Sequence, residues 1–320
     1  MRLLFTGGGG AGSEALYRLL RGSYDVHFAD ADREAKPHAL PSPHWHHLPS
    51  ANDPAFLEAV RHLCHRLEAD LLIPGVDEEL VALSVGREAI GCQVLLPPAD
   101  FVRTHLDKLT SFERLHALGL PAPATTTLAD RQRPSFPCIV KPRRGRGSRD
   151  VAIPRSEEEL RAHLLHCRRP AEDFIAQELL HGQEYTVMMV ADSTCRLRAV
   201  VPVKVHLKRG ITLRAETDRD EQVQAACAAI HAADPVSGCF NIQVVKAETG
   251  EVRPFEINPR ISTTACLAAG AGVDFSALSL DRPPVDASPL GLAPFQDRYG
   301  LKRSWHNEFL PAPATSLGHS

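Results

Sequence analysis

Short apolar runs alternate with amphipathic stretches over the first hundred residues, and this alternation is the strongest constraint on the fold. The predicted strands cover residues 2–5, 25–29, 71–74 and 94–96, and the predicted helices cover 14–21, 55–68 and 78–90. Strands that alternate with helices pack as a parallel, doubly wound sheet. The first part of the chain is therefore expected to have an α/β fold.

Beyond residue 107 the pattern changes to strands that follow one another. Predicted strands cover 136–141, 150–153, 174–177, 184–190, 200–205, 240–246 and 252–258, and predicted helices cover 108–118, 157–167 and 221–233. The sequence Ala-Glu-Thr-Gly between the last two strands is typical of a hairpin turn. We therefore expect an α/β domain at 1–105 and an α+β domain at 106–280. Residues 281–320, rich in Pro, Ser and Ala, are expected to form a C-terminal tail.

The composition is that of an ordinary globular protein, with 43% hydrophobic and 23% charged residues, which excludes a disordered chain. With 36 Lys and Arg against 39 Asp and Glu, the chain has no basic surplus for nucleic-acid phosphates. No run of about 18 apolar residues occurs, and the apolar run at the N-terminus is too short for a signal peptide. The eight cysteines stand singly. We therefore expect a cytoplasmic protein with no nucleic-acid or membrane partner.

A glycine-rich turn at residues 7–12 follows the first predicted strand and opens the first helix. It satisfies the G-x-G-x-x-G pattern, and Asp30 or Asp32 lies where an acidic residue binds the ribose of a dinucleotide. Backbone amides at the helix N-terminus would then hold a pyrophosphate. The alternative is a tight turn whose glycines serve packing alone or receive a different anion. The turn by itself leaves both interpretations open.

A basic loop follows the predicted strand that contains Lys141. A lysine at the end of a buried strand can hold a nucleotide phosphate as a point charge. Gly145, Gly147 and Ser148 would let the loop backbone close over phosphates. Lys108, at the start of its helix, is a second candidate cation. A solvated basic turn and a surface lysine are the alternatives.

Residues 175–184 follow a strand and carry a candidate nucleotide site. An extended segment can offer backbone groups to an adenine edge, where Gln177 would accept from the exocyclic amine. Glu184 would take both ribose hydroxyls. Without other evidence, this segment is equally an ordinary strand–turn–strand connection.

Oxygen-bearing side chains cluster on the last predicted hairpin. Glu256 and Asn258 lie two apart on one strand and so share a face, and Gln243 on the partner strand is opposite or diagonal to Glu256. Such ligands suit Mg²⁺, which takes few protein ligands plus substrate phosphates. Arg260, just beyond, would meet a transferring phosphoryl group. A polar face exposed to water is the alternative.

The order of these residues, from Lys108 and Lys141-Pro142 to Glu256-Ile257-Asn258-Pro259-Arg260, resembles the ATP-grasp superfamily. Most similar are the ATP-grasp module of the carbamoyl-phosphate synthetase large subunit and related carboxylate–amine ligases. The resemblance runs over about residues 2–280. It implies a Rossmann-like preATP-grasp domain followed by a two-lobed ATP-grasp domain. One lobe of the second domain, the lid, would cover about residues 125–183.

The resemblance also implies roles for individual residues. The implied contacts are Lys108 and Lys141 to the ATP phosphates, Gly145, Gly147 and Ser148 to the closing loop, Gln177 and the backbone of Glu178 and Leu180 to adenine, Glu184 to ribose, Gln243, Glu256 and Asn258 to one or two Mg²⁺ ions (or Mn²⁺), and Arg260 to an acyl phosphate. In such enzymes a carboxylate attacks the γ-phosphoryl group of ATP, and an amine then displaces phosphate. Lys141 and Arg260 are the catalytic residues that the resemblance implies. Many members of the family pair as homodimers, so a homodimer is also expected.

The acceptor site is less well marked. A basic run before the hairpin, with Lys204, Lys208, Arg209 and Arg214, would bind a substrate carboxylate or phosphate, or would be a solvated face. Acidic residues 77–79 would hold an ammonium group or serve as partners of the helix dipole. The four residues 44–47 contain three histidines, which suggests metal binding, but a surface loop is the favoured interpretation. Residues 302–306 are a candidate for a return of the tail to the site.

The leading hypothesis is an ATP-dependent ligase that joins a small carboxylic acid, such as an amino acid, to an amine. One alternative is an NAD-dependent oxidoreductase that uses the glycine turn and Asp30. Another is a non-catalytic module that binds Mg-ATP. The first alternative leaves the second half of the chain unexplained.

Overall fold

The structure, a computed structural model, describes residues 1–130, 133–282, 284, 286–288 and 291–304. The strands are β1 (Arg2–Thr6), β2 (Asp25–Asp30), β3 (Trp45–His47), β4 (Leu71–Ile73), β5 (Gln93–Val94), β6 (Thr125–Thr127), β7 (Cys138–Pro142), β8 (Phe174–Glu178), β9 (Gln183–Ala191), β10 (Leu197–Arg209), β11 (Ile211–Thr217), β12 (Gly238–Lys246), β13 (Val252–Asn258) and β14 (Gly300–Lys302). The α-helices are α1 (Ser13–Leu20), α2 (Phe56–Leu67), α3 (Asp77–Val85), α4 (Arg87–Ile90), α5 (Ala99–Leu106), α6 (Lys108–Ala117), α7 (Glu157–Cys167), α8 (Glu221–Ala233), α9 (Ala265–Gly270) and α10 (Phe275–Ser279). In these ranges no helix is long and apolar enough to cross a membrane. The fold is mixed α/β.

The first sheet is parallel throughout, with the strand order β3-β2-β1-β4-β5. Leu3 and Leu4 are both fully buried but belong to different cores, since Leu3 packs with Leu16 of α1 and Leu4 with Val60 of α2. Helices therefore cover both faces of the sheet, which explains why its central strands are apolar on both sides. The predicted parallel, doubly wound sheet is confirmed.

Two predictions for this region are wrong. The helix expected over 78–90 ends at Val85 and restarts at Arg87, because Gly86 separates α3 from α4. The surface loop expected at 44–47 is instead a half-buried segment whose last three residues form the edge strand β3. Trp45 pairs with Phe28 and extends the sheet here. The histidine-rich composition of this segment gave no indication of a strand.

The central sheet is antiparallel, with the order β13-β12-β9-β10-β11-β14. Side chains of β9 alternate between two cores: Val187 packs with Val223 of α8, and Met188 packs with Phe275 of α10. The predicted antiparallel pairing is thus confirmed. The tail contributes β14 to the edge of this sheet, and residues 305–306 of the predicted tail segment lie outside the described residues.

A small third sheet, with the order β6-β8-β7, packs against α7. Val140, Phe174 and Leu160 form its core. The strand predicted at 150–153 is wrong: Ala152 alone pairs, in an isolated bridge to Val140, and residues 150, 151 and 153 are not in a strand. The sequence analysis also missed β6 and β11, which are short or rich in polar residues.

A buried carboxylate lies at the carboxyl end of the first sheet. Glu79 of α3 is 3% exposed, and its Oε1 accepts hydrogen bonds from Thr6 Oγ1 at 2.7 Å, Gly75 N at 2.9 Å and Val76 N at 3.1 Å. These donors favour the charged carboxylate, but burial outweighs them and raises the pKa of Glu79 to about 7. Glu79 thereby ties the end of β1 to the start of α3.

We expect the free energy of unfolding to decrease as the pH rises from about 4.5 to about 7. Because the folded-state pKa of Glu79 is raised, its stabilisation is complete below the unfolded-state pKa and is lost as the pH passes the folded-state pKa. Glu79→Gln should remove this component, at most about 3 kcal/mol. Urea unfolding at several pH values measures it. Glu78→Gln, a half-exposed neighbour, should keep the pH dependence, and an unchanged slope in Glu79→Gln would contradict the assignment.

Candidate active site

Lys141 projects from the small sheet towards the central sheet. Along β7, Cys138 and Val140 face the core of the small sheet, so Lys141 faces the opposite side. Its Nζ donates a hydrogen bond to Phe255 O of β13 at 2.8 Å, and the side chain is 3% exposed. Burial lowers the pKa of Lys141 to about 8, against the opposing effect of Glu256. A largely charged ammonium group is therefore held between the two sheets at neutral pH.

Lys108 approaches the same place from α6. Its Nζ donates to Gly145 O at 2.8 Å and lies 4.0 Å from Glu256 Oε1. The start of α6 is fixed by Asp107, whose side chain accepts from Leu109 N and pairs with Arg143 at 2.8 Å. The two candidate lysines, from different elements, thus reach neighbouring residues of β13, Lys141 at Phe255 and Lys108 at Glu256.

The basic loop lies beside Lys108 and contacts the first sheet's helices. Gly145 and Gly147 have φ values of +125° and +72°, which favour glycine, and Ser148 has φ of +56°. Arg146 Nε lies 3.2 Å from Glu78 of α3. The loop is therefore positioned over the cleft by contacts on both of its sides.

The candidate metal ligands lie on β12 and β13. Gln243 is directly opposite Glu256 in the register, and Asn258 follows on the same face of β13. Asn258 Nδ2 donates to Asn241 Oδ1 at 3.3 Å, which holds the amide in place. One carboxylate and two amide side chains on one face form a donor set that fits Mg²⁺ together with phosphate oxygens.

Lys208 joins this group from β10. Its Nζ lies 2.5 Å from Glu184 Oε1 and 3.1 Å from Gln243 Oε1, above the ring of Phe255. The structure thus brings a residue predicted for the acceptor site next to the residues predicted for ribose and metal. Glu184 is accordingly held by the ammonium group of Lys208.

The residues predicted to contact adenine have different surroundings. Gln177 is fully buried on the same face of β8 as Ile175, which pairs with Lys141. Its Nε2 donates to Thr125 Oγ1 at 2.9 Å, but its Oε1 makes no hydrogen bond. A buried acceptor without a donor is costly, so Gln177 Oε1 is a candidate ligand contact.

Glu178, the last residue of β8, donates its backbone amide to Ala124 O at 2.8 Å. The Glu178 carboxylate is bound by both terminal nitrogens of Arg253 at 2.7 Å. This guanidinium holds the pKa of Glu178 below its usual range. The side chain of Glu178 therefore joins the small sheet to β13, and Leu180 is half-buried in the turn before β9.

Arg260 stands at the end of β13, where its Nε donates to Asp77 Oδ1 at 2.5 Å and its Nη1 to Ile261 O at 3.1 Å. Asp77 is the first residue of α3, so this pair fixes the guanidinium against the first sheet's helices. The sequence analysis missed Asp77 as the partner of Arg260 and Phe255 as a contact of two lysines. Phe255 directly precedes Glu256 in the sequence, and this adjacency could have indicated that Phe255 lies at the candidate site.

The remaining basic residues spread along the β10–β11 hairpin. Lys204 pairs with Asp218 at 3.8 Å. Arg209 and Arg214 are exposed, and within the described ranges neither makes a hydrogen bond or ion pair with Lys108, Lys141 or Glu256. The basic run is therefore divided, since Lys208 lies at the candidate site whereas Arg209 and Arg214 lie on the surface.

Side chains of the same chain pack against the glycine turn at residues 7–12. Asp30 Oδ2 accepts from Gly9 N at 2.8 Å. A Cβ at Gly9 would lie 2.5 Å from Ala35 Cβ, and one at Gly8 would lie 2.9 Å from Phe28 Cβ. The glycines thus permit close packing of the turn, which favours the packing interpretation over dinucleotide binding.

The chain matches a family model described as ATP-grasp in the biosynthetic pathway with Ter operon, over residues 170–288. The carbamoyl phosphate synthase large chain of Pseudomonas syringae pv. tomato is 25% identical over 248 residues, or 68% of this chain and 23% of that one. The chain therefore spans about a quarter of the length of the curated relatives it matches.

Solved structures of similar fold include an L-amino acid ligase from Bacillus licheniformis, with a TM-score of 0.64, 18% identity and coverage of 87% of this chain and 73% of the other. A carboxyaminoimidazole ribonucleotide synthase from Aspergillus clavatus, complexed with ATP, has a TM-score of 0.62, 18% identity and coverage of 81% and 70%. The resemblance to the ATP-grasp superfamily is confirmed by these matches.

Proposed function

We propose that the chain is an ATP-dependent ligase that activates a small carboxylate as an acyl phosphate and joins it to an amine. The observation that carries this proposal is the position of two lysines at β13: Lys108 lies 4.0 Å from Glu256 Oε1, and Lys141 donates to the carbonyl of Phe255, the preceding residue. Gln243 lies directly opposite Glu256. Phosphoryl transfer needs positioning and charge neutralisation rather than a protein nucleophile. Two ammonium groups beside an oxygen-ligand set supply both.

The proposed reaction has two steps. A carboxylate oxygen attacks the γ-phosphorus of ATP and ADP leaves; the amine then attacks the acyl carbon, phosphate leaves, and the amine loses a proton. Lys108 and Lys141 bind the phosphates, and Arg260, oriented by Asp77, binds the acyl phosphate. Mg²⁺ on Gln243, Glu256 and Asn258 would neutralise phosphate charge.

The loop with Gly145, Gly147 and Ser148 would cover the phosphates and exclude water from the acyl phosphate. Lys208 is proposed to contact the phosphates as well, since it lies beside Gln243 and Glu184. Release of Glu184 from Lys208 would free its carboxylate for the ribose hydroxyls. Lys204, Arg209 and Arg214 stay candidates for the carboxylate substrate.

The domain boundaries proposed are 1–105 for a preATP-grasp domain and 106–280 for an ATP-grasp domain with a lid at about residues 125–183, since the parallel sheet and the two later sheets fall on either side of residue 105. The ligase named among the solved structures supports an amino acid as the carboxylate class. The cytoplasmic location and a homodimer stay predictions.

Phosphate release, measured over a matrix of carboxylic acids and amines, tests the proposal. We expect Mg-ATP consumption that requires both substrates, with Lys141→Met as the blank. Binding of Mg-ATP without phosphate release from any pair would favour a non-catalytic ATP-binding module. Binding of NADH, abolished by Gly9→Val, would favour the oxidoreductase.

Gln177→Leu should weaken ATP binding about tenfold, because the free Oε1 then no longer accepts from the adenine amine. Inosine triphosphate lacks this amine, so its affinity should be low for the native chain and should not fall further in the variant. Calorimetric titration with both nucleotides measures the difference. Gln224→Leu, on α8, is the matched control. An equal loss for both nucleotides would contradict the assignment.

A further inference from the structure

Among the described residues, one group of three or more metal-ligating His, Cys, Asp or Glu side chains comes within ligation distance, and it lies on the first sheet. It consists of Asp25 and His27 on β2 and His44 in the turn before β3. Asp25 Oδ1 lies 3.0 Å from His27 Nε2 and 3.7 Å from His44 Nδ1. The proposed ATP site uses none of these residues.

The buried nitrogen of His27 is the observation that points to a ligand. His27 is 8% exposed, and its Nε2 lies 3.0 Å from Asp25 Oδ1 without the geometry of a hydrogen bond to it or to another acceptor. Its other nitrogen, Nδ1, lies 2.9 Å from His46 Nε2. When Nδ1 donates to His46, Nε2 presents an unshared electron pair to Asp25. This tautomer is the one that binds metal ions.

We propose that Asp25 Oδ1, His27 Nε2 and His44 Nδ1 bind one divalent cation of the zinc type, with water as the fourth ligand. Ligand atoms at about 2.1 Å from a tetrahedral ion lie about 3.4 Å apart, between the two separations found here. Two imidazoles and one carboxylate favour Zn²⁺ over Mg²⁺ or Ca²⁺, which prefer oxygen ligands alone. His44 Nδ1 now contacts Val26 O at 3.0 Å, so its proton moves to Nε2 on binding.

Groups around the cluster orient the three ligands. Arg2 Nε donates to Asp25 Oδ2 at 2.6 Å, which leaves Oδ1 directed at the two histidines. His46 Nε2 lies 2.9 Å from His27 Nδ1, which holds the His27 ring with its Nε2 towards Asp25. Such outer contacts fix ring orientation in known metal sites.

The proposed ion would join β2 to the turn that leads into β3. Edge strands are held by one neighbour alone, and β3 has three residues. A bond from the ion to His44 would fasten this edge. The site is therefore proposed as structural, and its occupancy should raise the melting temperature of the chain without any nucleotide.

Calorimetric titration of the full, untagged chain with ZnCl₂ in excess Mg²⁺ tests the proposal. We expect one Zn²⁺ per chain, a higher melting temperature, and visible absorption of the tetrahedral type when Co²⁺ replaces zinc. His44→Ala and Asp25→Asn should each weaken zinc binding at least about tenfold. His44 is partly exposed, so its variant keeps the test valid if loss of the Arg2–Asp25 pair impairs folding.

Two matched variants separate this site from other zinc ligands. His47→Ala changes an exposed histidine of β3, and Glu256→Gln changes the proposed magnesium site; both should keep the zinc affinity. Absence of stoichiometric zinc binding would overturn the proposal. Equal weakening by His47→Ala, loss of zinc in Glu256→Gln, or unchanged affinity in His44→Ala would overturn it as well.

Discussion

Lys141→Met should reduce ATP-dependent phosphate release about 100- to 1,000-fold, while the chain folds normally. The ammonium group of Lys141 is buried between the two sheets, where it donates to the carbonyl of Phe255, and it would neutralise charge where the phosphates are proposed to bind. Methionine keeps most of the aliphatic stem but removes the charge. Because burial of an ammonium group is costly, the variant should have a melting temperature equal to that of the native chain or higher.

Steady-state phosphate release and thermal unfolding, measured on the same preparation, test this prediction. Lys302→Met is the matched control, since Lys302 is exposed on the edge strand β14. Full activity in Lys141→Met would contradict a phosphate contact. Lost activity together with a much lower melting temperature would indicate that Lys141 serves packing of the lobes instead.

Glu256→Gln should reduce phosphate release about 100-fold and raise the Mg²⁺ concentration needed for half-maximal rate. Glutamine keeps the shape of the side chain, but it removes the negative charge that faces Lys108 at 4.0 Å and the proposed ions. The remaining amide oxygens, on Gln243 and Asn258, are weaker ligands for a divalent cation. The effect should therefore fall on metal dependence more than on folding.

Activity titrated against Mg²⁺ and against Mn²⁺ measures the effect. Glu248→Gln, in the exposed turn of the same hairpin, is the control and should leave both curves unchanged. A Glu256→Gln variant with native Mg²⁺ dependence would remove Glu256 from the metal site, even if its maximal rate were lower.

Local patterns were sufficient to predict much of the candidate site. The Ala-Glu-Thr-Gly turn indicates the hairpin, and the two-residue period of strands places Glu256 and Asn258 on one face. Gln243, expected opposite or diagonal to Glu256, lies directly opposite it. The parallel first sheet follows equally from alternating strands and helices. These predictions concern residues that are close in sequence, where backbone geometry limits the choices.

Contacts between distant segments could not be predicted in this way. Arg260 and Asp77 are 183 residues apart, and Lys141 is 114 residues from Phe255. Nothing in the neighbourhood of either residue specifies such a partner. The pairing of Lys208 with Glu184 likewise depends on how β10 lies beside β9 in the central sheet.

The sequence by itself thus determined the types of sheet and which residues have the chemistry to bind phosphate or metal, because each depends on local period and residue type. The tertiary structure decided which of these residues meet. It placed the Asp30 carboxylate against the glycine turn and left Gln177 Oε1 without a hydrogen-bond partner. It also paired residues 45–47 with β2 as an edge strand beside His27. The physical reason is that burial and long-range pairing, which set these outcomes, arise only when distant segments pack together.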